Sequence, residues 1–169
     1  MYCRGCFNAL YSHRNGAEIE CTLFFADIRG STSLAESMAP NEFRALMDRF
    51  YAVASDVLIR NEGVVDKFVG DEVVGIFVPA LTGGFHARRG IDAALDLLRA
   101  TGHADDAPWV PIGVGVNTGI AYVGAVGTAE HVEFTALGDA VNVTARLASA
   151  AGRGEVLLTE AAARPPAWT

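Results

Sequence analysis

Two aspartates (Asp27 and Asp71), one lysine (Lys67) and the pair Asn142 and Arg146 are the residues of this chain whose types and surroundings could do chemistry. Asp27 follows the short apolar run Leu23-Phe24-Phe25-Ala26 and precedes Ile28-Arg29-Gly30-Ser31-Thr32-Ser33. The run suits a strand buried on both faces. The small, hydroxyl-rich segment after it suits a turn into a helix start. A carboxylate at a strand end beside backbone amides can hold a metal ion and a phosphate together. Read alone, the same stretch is also a surface turn whose Asp and Ser cap a helix.

Asp71 repeats that logic 44 positions later, again beside a glycine, Gly70. Two such carboxylates brought to one end of a sheet would suit two Mg2+ ions near a polyphosphate; singly, Gly70-Asp71 is also an ordinary turn. Lys67 lies inside an otherwise apolar strand, so it must find a partner or reach solvent. Asp66 precedes it, but strand neighbours point to opposite faces, so an ion pair between them is not expected. An edge-strand charge that discourages aggregation is the other reading of Lys67. Asn142 and Arg146 are four apart on a predicted helix and so share a face. They form either a solvated stripe or a substrate clamp, and the planar guanidinium fork suits phosphate.

These residues need elements to hold them. An apolar periodicity through Phe43, Leu46, Met47, Phe50, Tyr51, Ala54, Val57 and Leu58 predicts a long helix with one core face, closed by Gly63. Val64–Val69 and Val73–Val78 predict a hairpin turning at Gly70-Asp71. A second helix carries Ile91, Ala94, Leu95 and Leu98. PIGVGVNTGIAYVGAVG reads as two strands turning at Asn117-Thr118-Gly119, and a helix then starts near Gly138-Asp139 before a last short strand, Val156–Leu158. The order β-α-α-β-β-α-β-β-α-β predicts an α+β, ferredoxin-like sandwich with helices on one face of a mostly antiparallel sheet.

Composition narrows the function classes. The 169 residues are 51% hydrophobic and 20% charged, the profile of one globular domain. A net charge of −7 argues against a sequence-independent nucleic-acid binder. The basic residues are twelve arginines and Lys67. No membrane span or signal peptide is expected, and three cysteines form no disulfide framework, so a reducing cytoplasm is the expected setting. Residues 1–17 read as an appendage, with 18–169 as the main domain. Cys3 and Cys6 have the spacing of half a zinc site, with His13 as a possible addition, but a structural Zn2+ wants four ligands. A free CxxC is the other reading.

FFADIRGST, DKFVGDEVVGIF, GVGVNTG and FTALGDAVNVTARL, in this order, resemble the signature stretches of class III nucleotidyl cyclases over about Glu18 to Glu160. The resemblance implies Asp27 and Asp71 as metal carboxylates for two Mg2+ or Mn2+ ions, with the Ile28 carbonyl as a further ligand. It implies that Lys67 and Thr135 read the purine, that Asn142 orients the ribose and that Arg146 stabilises the transition state. Gly30, Ser31 and Thr32 would face the β- and γ-phosphates. Lysine donates and a threonine hydroxyl can accept, which suits adenine N1 and N6; threonine at this position is similar to subgroup IIIb. The implied activity is conversion of ATP to cyclic AMP and pyrophosphate in a head-to-tail homodimer, with neither nucleic acid nor membrane as partner.

Two positions depart from the family pattern. The family fold continues past the equivalent of Leu158 with two strands that include a triphosphate-binding lysine, whereas Lys67 is the last lysine here. A frequent family arginine corresponds to Gly113. A catalytic domain short at its C-terminus is therefore expected. A cyclase-like binding or regulatory domain of low turnover, or a guanylyl cyclase, are the alternatives. An RNA-binding module would need stacking aromatics on open strands and a basic surface, whereas Phe24 and Phe25 read as buried and the net charge is −7.

Overall fold

The computed structural model describes residues 16–105, 107–128 and 132–164. Cys3, Cys6 and His13, and with them the candidate zinc half-site, lie outside the described residues. Strand β1 (Gly16–Ile28) is followed by helices α1 (Ser31–Ser37) and α2 (Pro40–Arg60), then the hairpin β2 (Val64–Val69) and β3 (Glu72–Phe77). A short turn of helix, α3 (Pro79–Thr82), leads to α4 (His86–Ala100). The chain continues with β4 (Ile112–Gly127), β5 (Val132–Leu137), α5 (Asp139–Ala150), β6 (Val156–Leu158) and α6 (Glu160–Ala163).

The strands run β2-β3-β1-β4-β5, with β6 parallel to the first half of β4 and all other pairs antiparallel. The first four positions, with α2 and α4 as crossovers, give the α+β ferredoxin-like order that the sequence predicts. One face of β1, through Phe24, Ala26 and Ile28, packs on Phe50, Ala54 and Val57 of α2 and on Ala93, Ala94 and Leu97 of α4. Burial of the larger of these, Phe24, Ile28, Phe50, Val57 and Leu97, contributes about 1.5–3 kcal/mol each before entropy is counted.

The helices are not all on one face, as the sequence reading expected. Phe25 and Val74, on the opposite face, pack against Ala148 of α5. The reason lies in β4. A Cβ added at Gly113 would come 2.7 Å from Ala151 O, and one at Gly115 would come 2.5 Å from Ala148 N and 2.7 Å from Thr144 O. Alternate residues of GVGV are thus bare so that α5 can rest directly on strand backbone.

The same packing removes the expected turn at Asn117-Thr118-Gly119. Asn117 is buried, donates from Nδ2 to Ala140 O at 3.0 Å and accepts from Thr159 Oγ1 at 2.9 Å. Thr118 Oγ1 meets Thr22 Oγ1 at 2.7 Å on the other face. Each polar side chain has a tertiary partner, so β4 runs unbroken. The segment Val132–Leu137, to which the sequence analysis assigns no element, is a strand paired with the second half of β4. The sheet curls until its outermost strands, β2 and β5, touch through side chains.

Candidate active site

The carboxylates come together because β1 and β3 pair antiparallel, with Asp27 opposite Glu72. One position further, Ile28 N donates to Asp71 O at 3.3 Å. The β2–β3 turn needs Gly70 at φ 59°, a conformation a Cβ disfavours. A small cavity of about 340 Å3 opens beside this turn, lined by Ser31, Thr32, Phe43, Met47, Tyr51, Gly70 and Asp71. Asp27, Ile28, Ser31, Thr32 and Asp71 therefore share one end of the sheet, with Gly30 at the N-cap of α1 beside them.

Two residues of this end were not singled out in the sequence. Glu72 adds a third carboxyl, and burial pushes its pKa up, with Asp71 adding to the rise and Arg29 opposing it. Tyr51, read as core packing, donates its hydroxyl to Gly70 O and stacks on Phe68 with ring centroids 4.3 Å apart. It clamps the turn that carries Asp71. Tyr51→Phe keeps the stack and loses the hydrogen bond, so urea unfolding should show a loss of about 1 kcal/mol. A loss above about 3 kcal/mol would mean that the ring itself had been displaced.

Asp27 is ion-paired with Arg29, which also donates to Ser149 O at 2.9 Å at the C-terminal end of α5. Arg29 Nε is buried without a hydrogen-bond partner. The sheet end that carries Asp27 is thereby tied to the helix that bears Asn142 and Arg146. Asp27, Asp71 and the Ile28 carbonyl are all oxygen donors, the set that Mg2+ and Mn2+ favour. Among the described residues no group of three or more His, Cys, Asp or Glu could hold a metal. A divalent ion here would complete its shell with backbone carbonyl, water and phosphate oxygens, so the residues fit such ions as a phosphate-assisted site.

Lys67 and Thr135 meet at the β2–β5 seam. The β2–β3 register shifts between Val65 and Lys67, a bulge that cancels the usual alternation. Contrary to the sequence expectation, Lys67 therefore lies beside Asp66, with Nζ 3.9 Å from Oδ1, and also 3.3 Å from Glu133 Oε2. Thr135, only 4% exposed, donates from Oγ1 to Asp66 Oδ2 at 2.8 Å. Burial raises the Asp66 pKa, while the Thr135 hydrogen bond and the Lys67 charge oppose that rise.

Asn142 and Arg146 lie one turn apart on the exposed side of α5, whose buried side is Ala140, Thr144 and Ala148. Neither has a hydrogen-bond or ion-pair partner among the described residues. A larger cavity of about 1110 Å3 lies elsewhere, lined by Ile19, His86, Ile91, Thr118 and Ala162, and includes none of the predicted site residues.

Residues 15–165 match the family described as the adenylate and guanylate cyclase catalytic domain, and the chain belongs to that family. Among curated relatives, the terminal-differentiation-specific adenylate cyclase of Dictyostelium discoideum is 36% identical over 129 residues, 74% of this chain and 6% of that protein. Adenylate cyclase 1 of Rhizobium meliloti is 33% identical over 134 residues, 76% of this chain and 20% of its own length. The chain thus spans a fifth or less of these two relatives. The crystal structure of the adenylyl cyclase CyaB from P. aeruginosa superposes with a TM-score of 0.81 at 27% identity, covering 88% of this chain and 80% of that one. The guanylyl cyclase Cya2 shares the fold, with a TM-score of 0.78 at 24% identity over 87% of this chain and 78% of its own.

Proposed function

We propose that the chain converts ATP to 3′,5′-cyclic AMP and pyrophosphate with two divalent metal ions, at sites shared across a head-to-tail homodimer. The observation that carries this reading is the placement of Asp27 and Asp71 at one sheet end, fixed by β1–β3 pairing and the Ile28–Asp71 hydrogen bond. Bound there, divalent ions supply the acidity that ionises a ribose hydroxyl and the charge that screens a triphosphate. The ribose 3′-oxygen then forms a bond to the α-phosphorus, the bond from that phosphorus to the bridging oxygen breaks, and pyrophosphate leaves. The hydroxyl proton passes to solvent.

The chain's own groups do the rest. Asp27 and Asp71 anchor the phosphate end, and the amides near Gly30, Ser31 and Thr32 face the β- and γ-phosphates. Asn142 orients the ribose, and Arg146 donates to the α-phosphoryl oxygens as their charge grows. The exposure of both, with no side-chain partner among the described residues, supports a site completed by a second copy. Lys67 donates to adenine N1 and Thr135 accepts the N6 proton. One feature favours a second reading, a nucleotide-binding domain of low turnover: the Arg29 guanidinium already paired with Asp27.

The test is product formation from ATP and GTP with Mg2+ or Mn2+. Cyclic AMP formed at a higher kcat/KM than cyclic GMP is the expected result. Nucleotide binding without either product would favour the second reading.

A further inference from the structure

Asp66 has no part in the chemistry outlined so far, yet its carboxyl side chain is only 4% exposed. A carboxylate that deep needs partners. Its Oδ2 accepts the Thr135 hydroxyl at 2.8 Å, while its Oδ1 is buried without a hydrogen bond and has Lys67 Nζ at 3.9 Å. The bulge before Lys67 brings Asp66 and Lys67 to the same side of the seam.

A threonine hydroxyl owns one proton and two lone pairs. With the proton held by Asp66, Thr135 can only accept from anything else. Lys67 can only donate. The seam therefore presents one fixed acceptor beside one fixed donor. Adenine matches it with an N6 amino donor and an N1 acceptor. Guanine sets an O6 acceptor against the Thr135 lone pairs and an N1 proton against the ammonium.

We propose that Asp66 is a specificity-determining positioning residue, which selects adenine over guanine by holding the Thr135 hydroxyl as an acceptor. This rests on the ATP reading above. Without Asp66 the hydroxyl rotates and donates to O6 as readily as it accepts from N6. If Asp66 were merely a clasp closing the β2–β5 seam, its removal would lower stability and leave base preference alone.

The experiment compares wild type, Asp66→Ala, Thr135→Val and the double variant, by kcat/KM for ATP and GTP and by the melting-temperature shift each nucleotide produces. Asp66→Ala should lower the ATP-to-GTP ratio about tenfold, the scale of one hydrogen-bond preference. In the Thr135→Val background the same substitution should change the ratio less than about twofold, because the hydroxyl it acts through is gone. An unchanged ratio with a lower melting temperature would leave Asp66 as a clasp and overturn the proposal. An equal fall in both backgrounds would overturn action through Thr135. If Asp66→Ala does not fold, Thr135→Ser and Thr135→Val decide instead: Ser should keep the ratio and Val lose it, and equal ratios refute the proposal. A wild type that prefers GTP, or makes no cyclic nucleotide, overturns the ATP reading and this one together. A wild type that prefers ATP isolates the Asp66 question.

Discussion

Purified separately, Asp71→Ala and Arg146→Ala should each form cyclic AMP at no more than about one-thousandth of the wild-type rate, and mixing them should bring activity back. On the proposed reading, the first variant removes a metal carboxylate and the second the donor to the transferring phosphoryl group. Asp71 sits in the β2–β3 turn beside Ile28, whereas Arg146 projects from the exposed side of α5. If each site draws one half from each protomer, a mixed dimer rebuilds one intact site and leaves one doubly broken. Random pairing makes half of the dimers mixed, so about a quarter of wild-type activity should return. Equal mixtures assayed across a concentration series give the measurement. A mixture as inactive as its components, with exchange of protomers verified, would place the whole site within one chain.

The second large effect concerns Gly115, far in sequence from every proposed catalytic group. A methyl there would press on Ala148 N at 2.5 Å and Thr144 O at 2.7 Å, both backbone atoms of α5. Neither can swing aside as a side-chain tip could. Gly115→Ala should therefore cost about 1–3 kcal/mol or more by overpacking. What remains folded should carry a displaced α5, and with it Asn142 and Arg146, so kcat should fall with KM less affected. Urea unfolding and steady-state kinetics on the same preparation separate the two losses. Wild-type stability would mean that α5 does not rest on β4 backbone.

The parts of the fold that were legible in the sequence are those written in local patterns. The run ending at Asp27, the periodicity from Phe43 to Leu58 and the Gly70-Asp71 hairpin each depend on neighbours within a few turns or strands. They became β1, α2 and the β2–β3 hairpin. Where tertiary contacts decide, the pattern misleads. Asn117-Thr118-Gly119 has turn chemistry, but its polar groups answer to Ala140, Thr159 and Thr22, all distant in sequence. The alternating glycines of β4 signal a helix lying on the strand, and the helix they accommodate comes 24 or more positions later. Val132–Leu137 does alternate apolar and polar residues, a local strand signal, but its place at the edge of the sheet is held by Glu133 and Thr135. Their partners, Lys67 and Asp66, sit across the curl of the sheet. A bulge is equally invisible, so the Asp66–Lys67 proximity could not be read from alternation.

The site divides the same way. Asp27 and Asp71 are announced by glycine and by strand ends. Tyr51, Glu72 and Arg29 act on those carboxylates through geometry that emerges only when the hairpin folds back on β1.

The meeting of β2 and β5 bears also on solubility. An outermost strand normally exposes a row of unpaired amides and carbonyls, an invitation to pair with another molecule's strand. Here the two outermost strands lean on each other, joined by Thr135–Asp66 and rimmed by the charges of Lys67 and Glu133. A third strand arriving at either one would have to part that contact and strip water from two charged groups. The residues proposed to read a base thus also keep the sheet from recruiting neighbours.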